Sequence, residues 1–122
     1  TLPASYSDQL TLVGYERLQH EDDQCVALLT YWRVEEPSST VVKSFVHILR
    51  DGGIIAQDDG LASPPQTWMR GDLIIQKHVL ELPSDLAAGV YAVQVGLYNQ
   101  SSGVRLVVSG HKALHLPPIT VP

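Results

Sequence analysis

Apolar and polar residues alternate along most of the chain, which predicts β-strands rather than helices. In segment 41–50, Phe45 and His47 share one face and Val46 lies on the other, the period of two that a strand gives. Segment 25–34 is apolar at nearly every position, which is typical of a central strand covered on both sides. About eight segments show strand patterns of this kind. They are 10–18, 25–34, 41–50, 54–57, 73–82, 89–98, 104–108 and 112–116.

Turn signals separate these segments at nearly regular intervals. Asp51-Gly52-Gly53 predicts a tight hairpin, because glycine tolerates positive φ. Residues 58–71 read as a long irregular loop, and Pro117-Pro118 as a terminus that leaves the fold. We therefore predict an all-β fold, an antiparallel two-sheet β-sandwich with an immunoglobulin-like or jelly-roll-like Greek key and about eight strands. One domain is expected over 1–122, with its core at about 10–116.

A short stretch before segment 89–98 predicts a structural corner. Asp85 is followed by small residues, then by Gly89 and Tyr91 as the chain enters the strand. This order is typical of the tyrosine corner of Greek-key sandwiches, in which the tyrosine hydroxyl bonds to upstream backbone. Gly89 would supply the backbone freedom that the corner needs.

Composition and charge exclude several classes of function. The 122 residues include 8 Lys and Arg against 13 Asp and Glu, a net charge of −5. A protein that binds nucleic acid would need a basic patch, so nucleic acid is not expected as a partner. No apolar run approaches the roughly 20 residues that span a bilayer. Because the chain begins with Thr1 rather than Met, we expect it to be a piece of a longer protein.

The motifs of the common enzyme classes do not occur in the chain. It contains no Gly-x-Ser-x-Gly elbow, no glycine-rich phosphate loop before a helix and no His-Glu-x-x-His. Its single cysteine, Cys25, begins an apolar run and is interpreted as an inert core thiol. We therefore expect no catalytic residues in this chain.

Histidines and acids raise the possibility of a metal site. His47 and His78 lie inside predicted strands and could approach Asp58 or Asp59 after folding, but no ligand spacing requires it. Asp58-Asp59 could offer oxygen ligands to calcium, yet no regular Asp-x-Asp-x-Asp-Gly pattern follows. Solvated carboxylates at a hairpin exit are the favoured interpretation. Neither a metal nor a cofactor is expected.

Two aromatic residues are candidates for contact with a sugar ring. Trp68 lies in the long predicted loop, and Tyr98 is on the outward face of its strand. The alternative for Trp68 is a plug that covers one end of the sandwich. Trp32, in the most apolar strand, is assigned to the core.

Taken in order, motifs across about 10–107 resemble one known arrangement. They are Leu12-Val13-Gly14-Tyr15, Leu28-Leu29-Thr30-Tyr31-Trp32-Arg33, Phe45-Val46-His47-Ile48-Leu49, Ala56-Gln57-Asp58-Asp59-Gly60, Pro65-Gln66-Thr67-Trp68, Arg70-Gly71-Asp72, Leu80-Glu81-Leu82-Pro83, Gly89-Val90-Tyr91, Val95-Gly96-Leu97-Tyr98-Asn99 and Ser102-Gly103-Val104-Arg105-Leu106. The set resembles the soluble β-sandwich domain at the C-terminal end of bacterial multi-spanning glycosyltransferases of the dolichyl-phosphate-mannose-protein mannosyltransferase type. The family pattern centres on His47, Asp59, Trp68 and Gly71, which are expected to gather at one end of the sandwich. Asp72 stands where glutamate is usual.

This resemblance implies that catalysis belongs to a membrane portion of the same polypeptide. The leading hypothesis is a non-catalytic accessory domain on the extracytoplasmic face of the membrane, which contacts glycan, acceptor or a lipid-linked sugar, or packs on the membrane portion. The candidate ligand-binding residues are His47, Asp59, Trp68 and Tyr98. Two alternatives stay open, a free-standing carbohydrate-binding module and a structural or interaction domain.

Overall fold

The fold consists of two four-stranded antiparallel sheets packed face to face. The computed structural model describes residues 3–6, 9–18, 24–37, 41–60, 67–107 and 113–121. The strands in these ranges are β1 (Ala4–Tyr6), β2 (Leu10–Leu18), β3 (Cys25–Val34), β4 (Val42–Arg50), β5 (Gly53–Gly60), β6 (Leu73–Glu81), β7 (Gly89–Asn99) and β8 (Leu114–Val121). The predicted all-β sandwich is thus confirmed.

The chain crosses repeatedly between the two sheets. Sheet A has the strand order β1-β2-β3-β6, and sheet B has the order β5-β4-β7-β8. The pairing of β3 with β6 in one sheet and of β4 with β7 in the other is an immunoglobulin-like Greek-key arrangement. β5 and β6 form edges of different sheets but lie against each other along one side of the sandwich. Within the described ranges, no helix is long and apolar enough to cross a bilayer.

Alternate residues of both sheets point inward and form the core. Trp32 is fully buried in β3, and its indole Nε1 donates a hydrogen bond of 2.9 Å to Thr30 Oγ1. Full burial of a large apolar side chain stabilises a fold by about 1.5–3 kcal/mol. The largest fully buried apolar residues are Trp32, Phe45, Leu10, Leu12, Ile48, Leu80, Leu97, Val34, Val46 and Val93.

The hairpin between β4 and β5 forms where the sequence predicts it, but β5 is longer than expected. Asp51 and Gly52 have φ values of 52° and 81°, as a tight hairpin turn requires. The prediction that the loop begins at residue 58 is wrong, because β5 continues to Gly60, which pairs with Ser44. Asp58 and Asp59 lie within the strand because their side chains have hydrogen-bond partners on opposite faces of it. Residues 61–66 of the predicted loop are outside the described ranges.

The last strand also differs from the prediction. The interpretation of Pro117-Pro118 as a terminus leaving the fold is wrong, because β8 runs through both prolines to Val121. β8 is an edge strand, the position in a sheet where proline is tolerated. The register shifts between Tyr91 and Val93, and this irregularity accommodates the two exposed prolines. Segment 104–107 pairs with β7 only through a bridge between Arg105 and Tyr98.

The segment before β7 contains the hydrogen bond that its sequence predicts. Tyr91 is buried, and its hydroxyl donates to the Ala87 carbonyl oxygen at 2.5 Å. Gly89 has a φ of 156°, while Asp85 is exposed. The corner fixes the entry of the chain into β7, the strand that contributes Gln94 and Tyr98 to the surface described next.

Candidate functional site

Four polar side chains cross the outer face of sheet B in a single row. The strand registers pair His47 with Gln57 on one side and with Gln94 on the other, and Gln94 pairs with His115. Directly paired residues project from the same face of a sheet, about 4.5–5.5 Å apart. Gln94 Nε2 lies 3.4 Å from His115 Nε2. We call Gln57, His47, Gln94 and His115 the polar row.

An aromatic cluster lies beside the polar row. The Phe45 ring is 4.5 Å from the His47 ring, with 34° between their planes, and 6.3 Å from the Tyr98 ring. The Arg105 guanidinium lies over Phe45, with Cζ 4.6 Å from the ring centroid. Phe45 is only 1% exposed although it points away from the core. Phe45 is therefore buried on the outer face of sheet B because it packs against three side chains, those of His47, Tyr98 and Arg105.

Tyr98 and Asp59 form a hydrogen-bonded pair at the edge of this cluster. The Tyr98 hydroxyl donates to Asp59 Oδ2 at 2.9 Å. Burial, and then the adjacent Asp59 carboxylate, raise the pKa of Tyr98 above its ordinary value. The phenol is therefore a stable donor at neutral pH, and it orients the Asp59 side chain.

His47 lacks a complete set of hydrogen bonds. The residue is 7% exposed, and its buried Nδ1 has no hydrogen-bond partner among the described residues. Burial is the main cause that lowers the pKa of His47, and the nearby charge of Arg105 lowers it further, while Asp59 opposes the shift. The ring is therefore neutral at neutral pH, with one nitrogen able to donate and the other able to accept. A buried polar atom left unpaired costs about 1–3 kcal/mol.

A groove of about 700 Å³ opens on this side of sheet B. The polar row contributes His47, Gln94 and His115 to its lining. Its apolar walls include Leu49, Ile54 and Val90, and its charged lining residues are Arg50, Asp51 and Arg105. Mixed apolar walls with a few convergent polar groups are characteristic of small-molecule sites. We call this cavity the outer groove.

The structure brings together three of the four candidate ligand-binding residues. His47, Asp59 and Tyr98 all surround Phe45 on the outer face of sheet B. Trp68 is instead 7% exposed and belongs to the hydrophobic core. Gly71, whose amide donates to the Val34 carbonyl oxygen, is attached to sheet A. The expected gathering of His47 and Asp59 with Trp68 and Gly71 is therefore not what the structure has.

A second polar cluster lies between the sheets, where His78 makes the approach to Asp58 that the sequence allowed. His78 Nε2 is 3.1 Å from Ser44 Oγ, and His78 Nδ1 is 2.9 Å from Asp58 Oδ2. Ser44 and Asp58 belong to sheet B, whereas His78 reaches across from sheet A. We call these three residues the inter-sheet array. The period of two in β6 could have indicated that His78 faces the core, because it places His78 on the same face as buried Ile74 and Leu80.

The inter-sheet array has the residue types of a hydrolase triad but not its accessibility. Ser44 and His78 are both 0% exposed. The Ser44 hydroxyl donates to the Gly60 carbonyl oxygen at 2.6 Å. A nucleophilic serine must reach a substrate carbonyl, which this buried hydroxyl cannot do. Burial lowers the pKa of His78, and Asp58 opposes that shift. The array is therefore a structural link between β5 and β6.

The acids and histidines of the described ranges do not converge on a metal site. Asp58 and Asp59 point to opposite faces of β5, toward His78 and Tyr98 respectively. Across the described ranges, no group of three or more His, Cys, Asp or Glu is arranged to hold a metal ion. Asp58 and Asp59 thus act as separate hydrogen-bond acceptors.

Comparisons with family models, with curated proteins and with solved structures found no match to the chain. The resemblance to the C-terminal domain of membrane glycosyltransferases therefore rests on the ordered motifs alone.

Proposed function

We propose that the chain is a non-catalytic accessory domain of an extracytoplasmic membrane glycosyltransferase, and that it contacts saccharide through the outer groove. The observation that carries the proposal is the polar row, in which His47, beside the Phe45 cluster, lines the outer groove with Gln94 and His115. The membrane context comes from the ordered motifs. The saccharide contact comes from the chemistry of the groove.

The side chains of the polar row suit sugar hydroxyls. Each hydroxyl both donates and accepts a hydrogen bond, and so does each side-chain amide or neutral imidazole. Gln94, His47 and His115 present such groups along one line across the strands. The C–H face of a sugar ring is apolar and would pack on the apolar wall that includes Leu49 and Ile54. The outer groove thus offers both kinds of contact in one place.

Burial of the inter-sheet array supports a non-catalytic function. It combines a serine, a histidine and an aspartate in hydrogen-bonding distance, yet Ser44 and His78 are inaccessible. In the outer groove, the lining residues within the described part of the chain contribute a single carboxylate, that of Asp51. Glycoside hydrolysis ordinarily uses two carboxylates that flank the scissile bond. The groove is therefore suited to binding.

A nitrogen-15 NMR titration tests the saccharide contact. Neutral oligosaccharides and polyprenyl-phosphate sugars are added to millimolar concentration, and we expect amide shifts at His47, Gln94 and Arg105. Gln94→Ala should weaken binding about tenfold, since it removes one amide that bonds a hydroxyl. The matched control is Gln100→Ala, at an exposed turn position outside the groove. Absence of shifts in the groove at millimolar ligand, or equal loss in both variants, contradicts the proposal.

The membrane context has its own test. If the domain belongs to a multi-spanning glycosyltransferase, the gene that encodes it should also encode hydrophobic spans in the same reading frame. A gene without such spans would leave the groove proposal intact and favour the free-standing carbohydrate-binding module.

A second candidate function, an interaction domain, is favoured by the opposite face of the molecule. Leu73, Ile75 and Val79 on the outer side of β6 are 53%, 48% and 40% exposed. Exposed apolar rows of this kind often mark protein contacts. Light scattering over a range of concentrations tests self-association, with Ile75→Lys as the disrupting variant. A concentration-independent monomer counts against this candidate.

A further inference from the structure

We propose that the saccharide bound in the outer groove carries an anionic group, a phosphate or a carboxylate, and that Arg105 and Arg50 contact it. This inference rests on the proposed saccharide function and adds the chemical class of the ligand. It is carried by the charges of the groove, the placement of Arg105 and the neutral state of His47.

The outer groove has a positive balance of charge on an acidic protein. The chain has 8 Lys and Arg against 13 Asp and Glu. Among the described residues that line the groove, the charged side chains are two arginines, Arg50 and Arg105, and one acid, Asp51. The ion pairs between described residues involve Arg33, Arg70 and His78, so neither groove arginine is paired among them. Two guanidinium groups that outnumber the carboxylate of Asp51 in one concave surface raise the local concentration of anions.

Arg105 is held in place before any ligand binds. Its guanidinium stacks 4.6 Å from the centre of the Phe45 ring, and its backbone forms a bridge with Tyr98. The next residue, Leu106, donates from its amide to the Leu97 carbonyl oxygen at 2.8 Å. Binding therefore costs less side-chain entropy than it would with a free arginine. A guanidinium fork matches the paired oxygens of phosphate and carboxylate.

His47 lines the same groove as Arg105 without adding charge to it. Its lowered pKa leaves the ring neutral at pH 7, and Arg105 is one cause of that shift. The positive charge beside the imidazole therefore belongs to Arg105, while the part of the His47 ring that lines the groove contacts the ligand without charge. A ligand with an anionic group next to hydroxyls satisfies both side chains.

The test compares matched neutral and charged sugars on the whole chain. Glucose, galactose, mannose and N-acetylglucosamine are titrated by NMR beside their 1-phosphates, beside glucuronic and galacturonic acids, and beside inorganic phosphate. We expect a charged form of at least one sugar to bind about tenfold more tightly than its neutral form. The preference should shrink as salt is added. The phosphate and uronic acid arms distinguish the two sources of charge.

Variants then test whether Arg105 causes the preference for charged over neutral sugars. Arg105→Gln should reduce the tenfold preference to near equality, whereas Arg105→Lys should keep part of it. Lys77→Gln is the control, since it removes one positive charge from the exposed outer side of β6. Unfolding curves of each variant verify that the fold is retained, and Arg50→Gln provides a second groove variant.

Each outcome has a distinct meaning. Equal binding of neutral and charged sugars would overturn this inference and leave the saccharide function standing. Inorganic phosphate that binds as tightly as the sugar phosphates would overturn it too, because the sugar would contribute nothing. Failure of every sugar and polyprenyl-phosphate sugar would overturn the proposed function itself.

Discussion

Two buried histidines of this protein are placed in contrasting surroundings. His78 lies between the sheets, and both of its ring nitrogens have partners, Ser44 and Asp58. His47 lies on the outer face of sheet B, and its Nδ1 has no partner among the described residues. A buried polar group with all its hydrogen bonds made strengthens a fold, whereas one left incomplete costs stability. His78 is thus bonded within the fold, whereas His47 lines the outer groove.

Replacement of each histidine by leucine gives the largest expected difference. His78→Leu should lower the free energy of unfolding by about 3 kcal/mol, since Asp58 and Ser44 lose their shared partner inside the sandwich. His47→Leu should change it by less than about 1 kcal/mol, because leucine removes an unpaired polar atom at similar volume. Urea unfolding of both variants measures the two values.

Ligand binding should follow the opposite order. His47→Leu is expected to weaken saccharide binding, while folded His78→Leu should bind as the natural chain does. Similar stability losses in the two variants, or intact binding in His47→Leu, would erase the distinction between the two sites.

Lowering the pH should reduce the free energy of unfolding through these two histidines. Both have pKa values lowered below 6.5, mainly by burial, so the folded state binds fewer protons than the unfolded state. The contribution of the two imidazoles to the free energy of unfolding is fully present above pH 6.5. It is lost as the pH falls toward their lowered pKa values in the folded state. Urea unfolding at several values from pH 7.5 down to about pH 5 should therefore show decreasing stability. Each leucine variant should flatten this dependence, and an unchanged slope in both would contradict the assignment.

Two tyrosine hydroxyls extend the comparison from the corner to the outer face. Tyr91→Phe should lower the free energy of unfolding by about 1 kcal/mol, because the buried hydroxyl loses its bond to the Ala87 carbonyl oxygen. Tyr98→Phe should cost only a few tenths, since its bond to Asp59 is exposed. Thermal unfolding of the two variants checks the order. A larger loss from Tyr98→Phe would show that the outer cluster stabilises the fold more than the corner does.

The smallest expected effect is a change in the ionisation of Tyr98. Asp59→Asn removes the carboxylate charge that helps to raise the pKa of this phenol. The pKa should therefore fall toward its ordinary value while burial keeps part of the shift. Ultraviolet titration of the phenolate band, with Tyr98→Phe to assign the signal, measures the change. An unaltered titration would mean that burial alone sets the pKa.

The strands and their faces were predictable because they depend on local alternation. Segment 41–50 placed Phe45 and His47 on one face, and the structure has them there. The end of β5 was not predictable in this way, since Asp58 and Asp59 are polar residues that favour loops in isolation. Their place in the strand depends on His78 and Tyr98, which lie 20 and 39 residues away along the chain.

The candidate site was predictable only in part, for the same reason. His47, Asp59 and Tyr98 were selected individually, whereas the rest of the polar row, Gln57, Gln94 and His115, was not. Glutamine carries no motif of its own, so only the register between strands shows that these residues form a line. Trp68 was offered both as a ligand contact and as a plug, and it lies within the hydrophobic core.

By itself, the sequence determined that the chain folds as a sandwich, where most strands run and which side chains share a strand face, because these properties follow from a period of two along the backbone. Tertiary structure alone decided which of two similar histidines is fully bonded and which lines a groove. Strand register and the packing of one sheet on the other set those contacts, and both depend on residues far apart in the chain.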